Sequence, residues 1–396
     1  MMSSVISLQS PSIFSIRTAS RLDGIEEYYF SQKLREIATM RADGKAVINL
    51  GIGSPDLPPA SATVDELTEQ SRKPDQHAYQ SYAGTPELRK AFAKWYQDWF
   101  GVTLHPDKEI LPMIGSKEGI MHIAMTYLEA GDEALVPDPG YPTYRAATTL
   151  TGANVRSYAL SEDRRWLPDL DALAAGDLSR VKLMWVNYPH MPTGAQADRG
   201  FFSDLVAFAK AHQILLVNDN PYAFILNERP LSLLSIDGAK EVALELNSLS
   251  KSHNMAGWRV GMLAGQANFL QDVLRFKSNM DSGMFKPLQL AAVRALDSPA
   301  SWYSDLNAIY RGRREKAFVL LDLLNCTYDT NQAGMFVWAK IPAIYSNAYE
   351  LSDQILYNNH VFLTPGGIFG EQGNQYVRVS LCSDEATFET AIARIV

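Results

Sequence analysis

A lysine set among small hydroxyl residues is the most informative feature of this 396-residue chain. Lys251 follows Ser248, Leu249 and Ser250, and Arg259 comes eight positions after the lysine. A lysine amine can hold an aldehyde as a Schiff base, while serine hydroxyls and a guanidinium can bind a phosphate beside it. The segment therefore indicates Schiff-base chemistry next to a phosphate site. A polar loop with a surface lysine is the alternative interpretation of the segment taken alone.

A second candidate phosphate site lies at the start of a predicted helix. Gly115, Ser116 and Lys117 follow the apolar residues 110–114 and precede a helical stretch. Backbone N–H groups at a helix N-terminus bind phosphate well. A glycine turn with Ser116 as the helix N-cap explains the same residues without a ligand, so both interpretations stay open for this segment alone.

A carboxylate and an aromatic ring follow two of the predicted strands. Asp219 comes after the apolar residues 214–217, and Tyr141 follows Val136 in a loop that two prolines and a glycine constrain. Polar groups at the C-terminal ends of strands lie at the usual ligand edge of an α/β sheet, and a ring there can stack on a flat heterocycle. A turn aspartate and a packed loop tyrosine are the alternatives.

An arginine near the C-terminus lies in an alternating strand pattern. Arg378 points to one face of the predicted strand 376–380, while Val377 and Val379 point to the other. A planar guanidinium is well suited to binding a carboxylate in two places. A surface arginine on a strand is the alternative.

These segments fall in an order that resembles the fold-type I pyridoxal-phosphate (PLP)-dependent aminotransferases of class I/II, the aspartate aminotransferase superfamily. Residues 79–89 resemble a tyrosine-to-arginine segment of that family, and residues 187–194 resemble its Asn-Pro-Thr-Gly loop. Residues 51–59 and 279–285 are similar to branches related to LL-diaminopimelate and to methionine or aromatic aminotransferases. The resemblance covers nearly the whole chain and implies an α/β fold and bound PLP.

The resemblance implies a role for each candidate residue around the cofactor. Lys251 would form the internal aldimine with PLP and then move a proton between Cα and C4′ as general acid and base. Asp219 would pair with the pyridine nitrogen, Tyr222 would donate to the 3′-oxygen and Tyr141 would stack on the ring. The phosphate would be bound by Ser116, Lys117, Ser248, Arg259 and the partner subunit's Tyr79.

The resemblance also implies a substrate site. Arg378 would orient the substrate α-carboxylate, and Gly53 and Tyr28 would contribute to the same site. Lys117 stands where some prokaryotic aspartate enzymes place a group that binds the side-chain carboxylate, which leaves an acidic donor open. Tyr28, Tyr29 and Phe30 favour an apolar pocket instead, and helix packing is a further explanation for these three.

One position departs from the family pattern. The family places an asparagine just before Pro-Thr-Gly, where it donates to the 3′-oxygen of the cofactor, but this chain has Met191. A thioether has no hydrogen to donate. His190 or Asn187 would have to take over this role, or a tyrosine alone would hold the oxygen.

The function implied is transfer of the amino group of an L-amino acid to a 2-oxo acid, commonly 2-oxoglutarate, in a homodimer with shared active sites. A PLP-dependent C–S β-lyase shares all of these motifs and is the main alternative. A non-catalytic PLP-binding regulator usually carries a DNA-binding domain, for which this chain has no room. A Rossmann dehydrogenase is excluded because no Gly-x-Gly-x-x-Gly follows the first predicted strand.

The composition is that of an ordinary globular chain. Hydrophobic residues make up 46% and charged residues 20%, and the net charge of -8 argues against a nucleic-acid partner. Cys326 and Cys382 are too few for a disulfide framework and lack metal-site spacing. The chain has no recognisable signal peptide and no apolar run of the ~18 residues that span a bilayer, so we expect a cytoplasmic protein without a membrane partner.

The pattern of apolar runs predicts the elements that position these residues. Short apolar runs alternate with helical stretches from about residue 46, which indicates an α/β fold with a mostly parallel central sheet. We predict a large PLP-binding domain over residues 46–285 and a smaller α+β domain over residues 286–396. Residues 1–45 are predicted to form an N-terminal arm and a helix that packs on the small domain.

Overall fold

The computed structural model describes residues 15–23, 25, 27 and 29–396. Its helices are α1 (Tyr29–Ala42), α2 (Ser61–Ser71), α3 (Pro86–Phe100), α4 (Ser116–Tyr127), α5 (Pro142–Leu150), α6 (Leu170–Ala174), α7 (Arg199–His212), α8 (Leu249–Ser252), α9 (Ala267–Lys277), α10 (Lys286–Leu296), α11 (Ala300–Leu323), α12 (Ala348–Asn359) and α13 (Glu385–Ile395). None of the described helices is long and apolar enough to cross a membrane.

The strands are β1 (Ile48–Asn49), β2 (Ile110–Met113), β3 (Glu133–Asp138), β4 (Asn154–Ala159), β5 (Val181–Val186), β6 (Leu215–Asp219), β7 (Ala243–Ser248), β8 (Gly261–Gly265), β9 (Thr327–Tyr328), β10 (Phe336–Lys340), β11 (Val361–Phe362), β12 (Thr364–Pro365) and β13 (Tyr376–Ser380). Strands β1 and β11 form a short parallel pair. The other strands form two larger sheets.

A seven-stranded sheet has the order β2-β8-β7-β6-β5-β3-β4. The neighbouring strands β7, β6, β5, β3 and β4 are parallel, whereas β8 pairs antiparallel with both β7 and β2. The inner strands are apolar on both faces because helices cover both sides, and Trp185, Leu216 and Leu246 are completely buried. The predicted α/β fold with a mostly parallel sheet is confirmed.

Several polar residues lie at one edge of this sheet because the parallel strands all end there. Strand β6 ends at Asp219 and β7 ends at Ser248, while Asn187 directly follows β5. Strand β3 ends at Asp138, three residues before Tyr141. This edge is where an α/β sheet usually binds its ligand.

A smaller antiparallel sheet has the order β12-β13-β10-β9. Helix α11 packs against β10 and α13, and the side chain of Phe388 in α13 is completely buried in this second core. Arg378 lies in the middle of β13, opposite Trp338 of β10. The sheet therefore carries Arg378 to the face that meets the large sheet.

Helix α1 packs against α12. Ile37 is buried with Leu356 and Phe362, and the Tyr29 ring contacts that of Tyr349 at 5.8 Å between centroids. Helix α10 packs against α2 and α3, beside the large sheet. The domain boundaries given above stay a prediction.

Candidate active site

A cavity of about 340 Å³ lies at the carboxyl edge of the large sheet. Its walls come from the ends of β6 and β7, the start of α4, helix α1 and the small sheet. Most of the residues that the sequence singled out line it: Gly53, Ser116, Lys117, Tyr141, Asp219, Tyr222, Ser248, Lys251, Arg259 and Arg378. Segments far apart in sequence are thus brought to one site.

Lys251 lies on the short helix α8, which follows β7 directly. The Oγ of Ser248 accepts from the N–H of Ser250 and begins this helix. The Lys251 Nζ donates to the carbonyl oxygen of Gly53 at 2.8 Å. Burial lowers the pKa of Lys251 to about 8, because the charged ammonium loses hydration in the site. About a tenth of this lysine is therefore a neutral nucleophilic amine at pH 7, far more than an ordinary lysine provides.

Asp219 carries a carboxylate with one unsatisfied oxygen. The hydroxyl of Tyr144 donates to Oδ2 at 2.9 Å, and the Tyr144 ring stacks on Trp185. Oδ1 is buried and has no hydrogen-bond partner among the described residues. Burial raises the pKa of Asp219 to about 7. A buried acceptor of this kind calls for a donor, and a cationic N–H donor would satisfy it best.

Hydroxyl groups and a guanidinium surround the start of α4. The Arg259 Nη1 donates to Ser250 Oγ at 3.4 Å, and Ser248 Oγ donates to Ser250 Oγ at 2.8 Å. Gly115 has φ of +78°, and a Cβ at this position would lie 2.2 Å from Arg259 Nη2. Glycine thus lets the guanidinium approach the helix N-terminus, which forms a site for an anion such as a phosphate.

Arg378 is buried and held by several contacts. Its Nη2 donates to the carbonyl oxygen of Gly51 at 2.7 Å, and its guanidinium carbon lies 3.9 Å from the centre of the Phe336 ring and 4.7 Å from that of Phe369. Gly53 passes so close to Phe336 that a Cβ would lie 2.2 Å from the ring. The guanidinium is therefore fixed at the cavity wall, where a carboxylate can bind it.

The structure shows which residues of the loop 187–194 face the cavity. Asn187 and Met191 line it, but the Asn187 side-chain amide already donates to the backbone oxygen of Asp219. His190 does not line the cavity, its Nδ1 lies 2.8 Å from Thr193 Oγ1, and burial lowers its pKa to about 3. The geometry thus gives no support to His190 as a replacement for the missing asparagine, whereas Tyr222 lines the same cavity as Met191.

Two of the sequence-predicted residues are not found in the cavity. Tyr79 does not line it, and the residue is 91% exposed. Tyr28 lies outside the described residues. A role for Tyr79 at this kind of site would need a second chain.

Sequence reasoning missed several residues that the structure places at the site, among them Ser250, Tyr144, Phe336 and Phe369. Ser250 directly precedes Lys251, so its position next to the lysine was a usable signal. The other three depend on contacts between distant segments. Nothing local in the sequence indicates that Tyr144 reaches Asp219 or that two phenylalanine rings enclose Arg378.

The cavity walls from the two sheets are joined by hydrogen bonds of the Asp138 side chain and of the backbone. The Asp138 carboxylate accepts from the N–H groups of Glu371 at 3.2 Å and Gln372 at 3.0 Å, and the Gly140 N–H donates to the Phe369 oxygen at 2.8 Å. These bonds hold the Tyr141 loop against the segment that carries Phe369. The relative position of the two walls is therefore fixed.

Comparison with known proteins identifies the family. Residues 45–395 match the model of the aminotransferase class I and II family. The chain is 41% identical to the LL-diaminopimelate aminotransferase of Dehalococcoides mccartyi, over 96% of this chain and 98% of the relative. It superposes on substrate-bound BacF from Bacillus subtilis with a TM-score of 0.92 at 34% identity, covering 96% of this chain and 97% of BacF.

A more distant structure shares the fold. A single mutant of Thermus thermophilus aspartate aminotransferase superposes with a TM-score of 0.89 at 22% identity, over 96% of this chain and 99% of that one. The family match over most of the chain, together with the full-length relative, decides the classification. This chain belongs to the aminotransferase class I and II family of enzymes.

Proposed function

We propose that this enzyme is a PLP-dependent aminotransferase that moves the amino group of an L-amino acid to a 2-oxo acid, with 2-oxoglutarate as acceptor. The observation that carries the proposal is the buried, unpaired Oδ1 of Asp219 in the same cavity as the amine of Lys251. An acceptor and a nucleophilic amine at two sides of one cavity suit a cofactor that has both a pyridinium N–H and an aldehyde.

The donor set around the cavity fits PLP at each of its polar groups. Asp219 would hold the ring nitrogen, Tyr222 the phenolic oxygen, and Tyr141 the face of the ring. The phosphate would bind at the start of α4, to Ser116, Lys117, Ser248, Ser250 and Arg259. When bound, the cofactor supplies an electron sink for the pair of electrons left at the substrate Cα.

Lys251 and Arg378 are the residues that would act directly on the substrate. The lowered pKa of Lys251 lets the amine accept the proton from the substrate Cα and return it as the ammonium. Arg378, fixed by Gly51 and two phenylalanine rings, would bind the α-carboxylate and so orient the Cα–H bond toward Lys251.

The test is a donor screen with the PLP-loaded enzyme and 2-oxoglutarate. LL-diaminopimelate belongs in the screen because the relative from Dehalococcoides mccartyi is named for it. Both glutamate and pyruvate are measured. Glutamate that forms in step with loss of the donor amino group supports the proposal, whereas pyruvate from a sulfur-containing donor without glutamate would identify a C–S β-lyase.

We also propose that the enzyme works as a homodimer in which Tyr79 contacts the phosphate in the partner's cavity. Several large apolar side chains are exposed around Tyr79: Tyr82, Met280 and Phe285 are 44%, 52% and 44% exposed. The segments are adjacent, because a Cβ on Gly283 would lie 2.8 Å from the backbone oxygens of Gln80 and Ser81. An exposed apolar patch of this kind is typical of an interface.

Mixed dimers test the shared site. Chains with Lys251→Ala and chains with Tyr79→Ala are each prepared alone and then mixed under conditions that exchange subunits. A mixed dimer has one cavity with both residues intact, so the mixture should gain activity over either variant. No gain despite subunit exchange would place Tyr79 outside the neighbouring site.

A further inference from the structure

We infer that the amino donor carries an uncharged, apolar side chain, an inference that rests on the proposed aminotransferase activity of the same cavity. The chemistry of the cavity wall beside Arg378 leads to this substrate class. This inferred preference differs from that of an enzyme specific for LL-diaminopimelate, whose two ends each carry an ammonium and a carboxylate.

The wall beside Arg378 is apolar. The Arg378 guanidinium carbon lies 5.6 Å from the centre of the Phe30 ring on α1, so a carboxylate bound to Arg378 is close to this helix. Leu34 lies one helical turn after Phe30 and also lines the cavity, as does Ile52. The side chain of a substrate held by Arg378 therefore meets hydrocarbon along α1.

The charged residues of α1 are engaged away from the cavity. Lys33 pairs with Glu36 at 2.8 Å and with Asp353 of α12 at 3.1 Å, and Arg35 pairs with Glu27. With Ile37 buried against α12, the pair between Lys33 and Asp353 of α12 fixes the rotation of α1 about its axis. Phe30 and Leu34 are thereby presented to the cavity instead of a charged face.

Charges in the cavity wall are unequal in sign. Among the described residues that line it, Asp219 is the carboxylate, and the proposed function commits it to the cofactor ring. Lys117 lies at the exposed start of α4, where its backbone N–H suits the phosphate and its ammonium suits the distal carboxylate of a 2-oxo acid acceptor. A second ammonium on the donor would lose water without gaining a carboxylate, which is strongly unfavourable, whereas an apolar chain would gain from burial.

A matched pair of donors tests this directly. L-norleucine and L-lysine have the same carbon chain and differ by the terminal amine, and LL-diaminopimelate is compared with both. With the PLP-loaded enzyme and 2-oxoglutarate, kcat/KM for L-norleucine should exceed that for L-lysine and for LL-diaminopimelate by about a hundredfold or more. A preference for L-lysine or LL-diaminopimelate would overturn the inference while leaving the aminotransferase activity in place.

A binding measurement separates the side-chain preference from catalysis. Hexanoate and 6-aminohexanoate are the same two chains without the α-amine, and neither is a donor in the reaction. Isothermal titration calorimetry on the PLP-loaded enzyme should give at least about tenfold tighter binding for hexanoate. Equal or tighter binding of 6-aminohexanoate would contradict the inference. This result stands even if every donor fails to react, the outcome that would sink the proposed function.

A charge placed on α1 should change the preference. Leu34 is 39% exposed, so Leu34→Glu is compatible with the fold and adds a carboxylate at the cavity wall. The norleucine-to-lysine ratio of kcat/KM should fall about tenfold or more. The matched control is Ala38→Glu, which adds the same charge one turn later on an exposed residue outside the cavity and should leave the ratio unchanged. An unchanged ratio in Leu34→Glu would show that α1 does not face the substrate side chain.

Discussion

The Nη1 atom of Arg378 lies 3.3 Å from the Sδ atom of Met191. A thioether is a weak hydrogen-bond acceptor and no donor. Met191 can therefore accept only a weak hydrogen bond from the guanidinium, and it cannot donate one to a neighbouring cofactor oxygen. The family pattern has an asparagine here, and its amide can do both. In the proposed function, this contact would link the site for the substrate carboxylate to the site for the phenolic oxygen of PLP.

Met191→Asn should move the pH titration of the bound cofactor. An added donor stabilises the ionised phenolic oxygen, so the pH midpoint of the visible absorbance change should fall by about 0.5–1 unit, the equivalent of one hydrogen bond. Absorbance spectra over a pH series measure it. An unmoved midpoint would mean that another residue already occupies this position on the oxygen. His190→Phe is the control and should also leave the midpoint unmoved, because the His190 ring does not line the cavity.

The pKa of Lys251 should appear in the rate of cofactor uptake. Only the neutral amine attacks an aldehyde, and burial lowers this pKa to about 8. The rate of PLP uptake by the cofactor-free protein should rise roughly tenfold from pH 6 to pH 7 and level off above about 8. Stopped-flow absorbance follows it. A rate that keeps rising toward pH 10 would indicate a lysine with an ordinary pKa.

Asp219→Asn should remove most of the activity. The amide can still accept from Tyr144 but has no charge to hold a pyridinium, so we expect kcat to fall about 10²–10³-fold. Tyr144→Phe keeps the carboxylate and should have a smaller effect. Steady-state rates with one good donor compare the two. A larger loss in Tyr144→Phe would mean that the hydroxyl, not the carboxylate, is the essential group.

Asp219→Asn should also stabilise the cofactor-free protein at high pH. Burial raises the pKa of Asp219 to about 7. Between the ordinary pKa of an aspartate and about pH 7, the folded protein therefore binds more protons than the unfolded chain. The carboxylate therefore lowers stability as pH rises through this range. Thermal unfolding at pH 8 should give a higher Tm for Asp219→Asn, with the difference shrinking toward pH 4. A lower Tm at pH 8 would contradict the raised pKa.

Arg378→Lys tests which end of the substrate is bound. The lysine keeps the charge but loses the two-pronged geometry, so kcat/KM should fall about tenfold to a hundredfold for all α-amino acids alike. Amines without a carboxylate should be nearly unaffected. A loss confined to acidic donors would assign Arg378 to the side chain.

The sequence predicted the parts of the site that lie in short contiguous segments. Local spacing and turn residues were enough to identify two such pairs, Lys251 with Arg259 and Gly115 with Ser116. The alternation of apolar runs likewise predicted the parallel core of the large sheet. The antiparallel direction of β8 was not predicted, although the connection from β7 contains only a four-residue helix and a short turn and lacks the crossover helix typical of a parallel pair.

Contacts between distant segments were beyond the reach of local patterns. The Tyr144–Asp219 bond joins helix α5 to the end of β6, and the rings around Arg378 come from β10 and the segment before β13. Each depends on the three-dimensional alignment of elements, which no single segment specifies. The roles of the site residues and the Tyr79 contact across a dimer stay predictions.

The central claim is that the amine of Lys251 is the group that holds PLP. Borohydride reduction of the PLP-loaded enzyme fixes the cofactor to whichever amine is bonded to its aldehyde, and peptide mass spectrometry then locates it. We predict one phosphopyridoxyl group per chain, on the peptide that contains Lys251, with none on the Lys251→Ala protein folded to the same Tm. A label on another lysine, or an undiminished label in Lys251→Ala, would contradict the account.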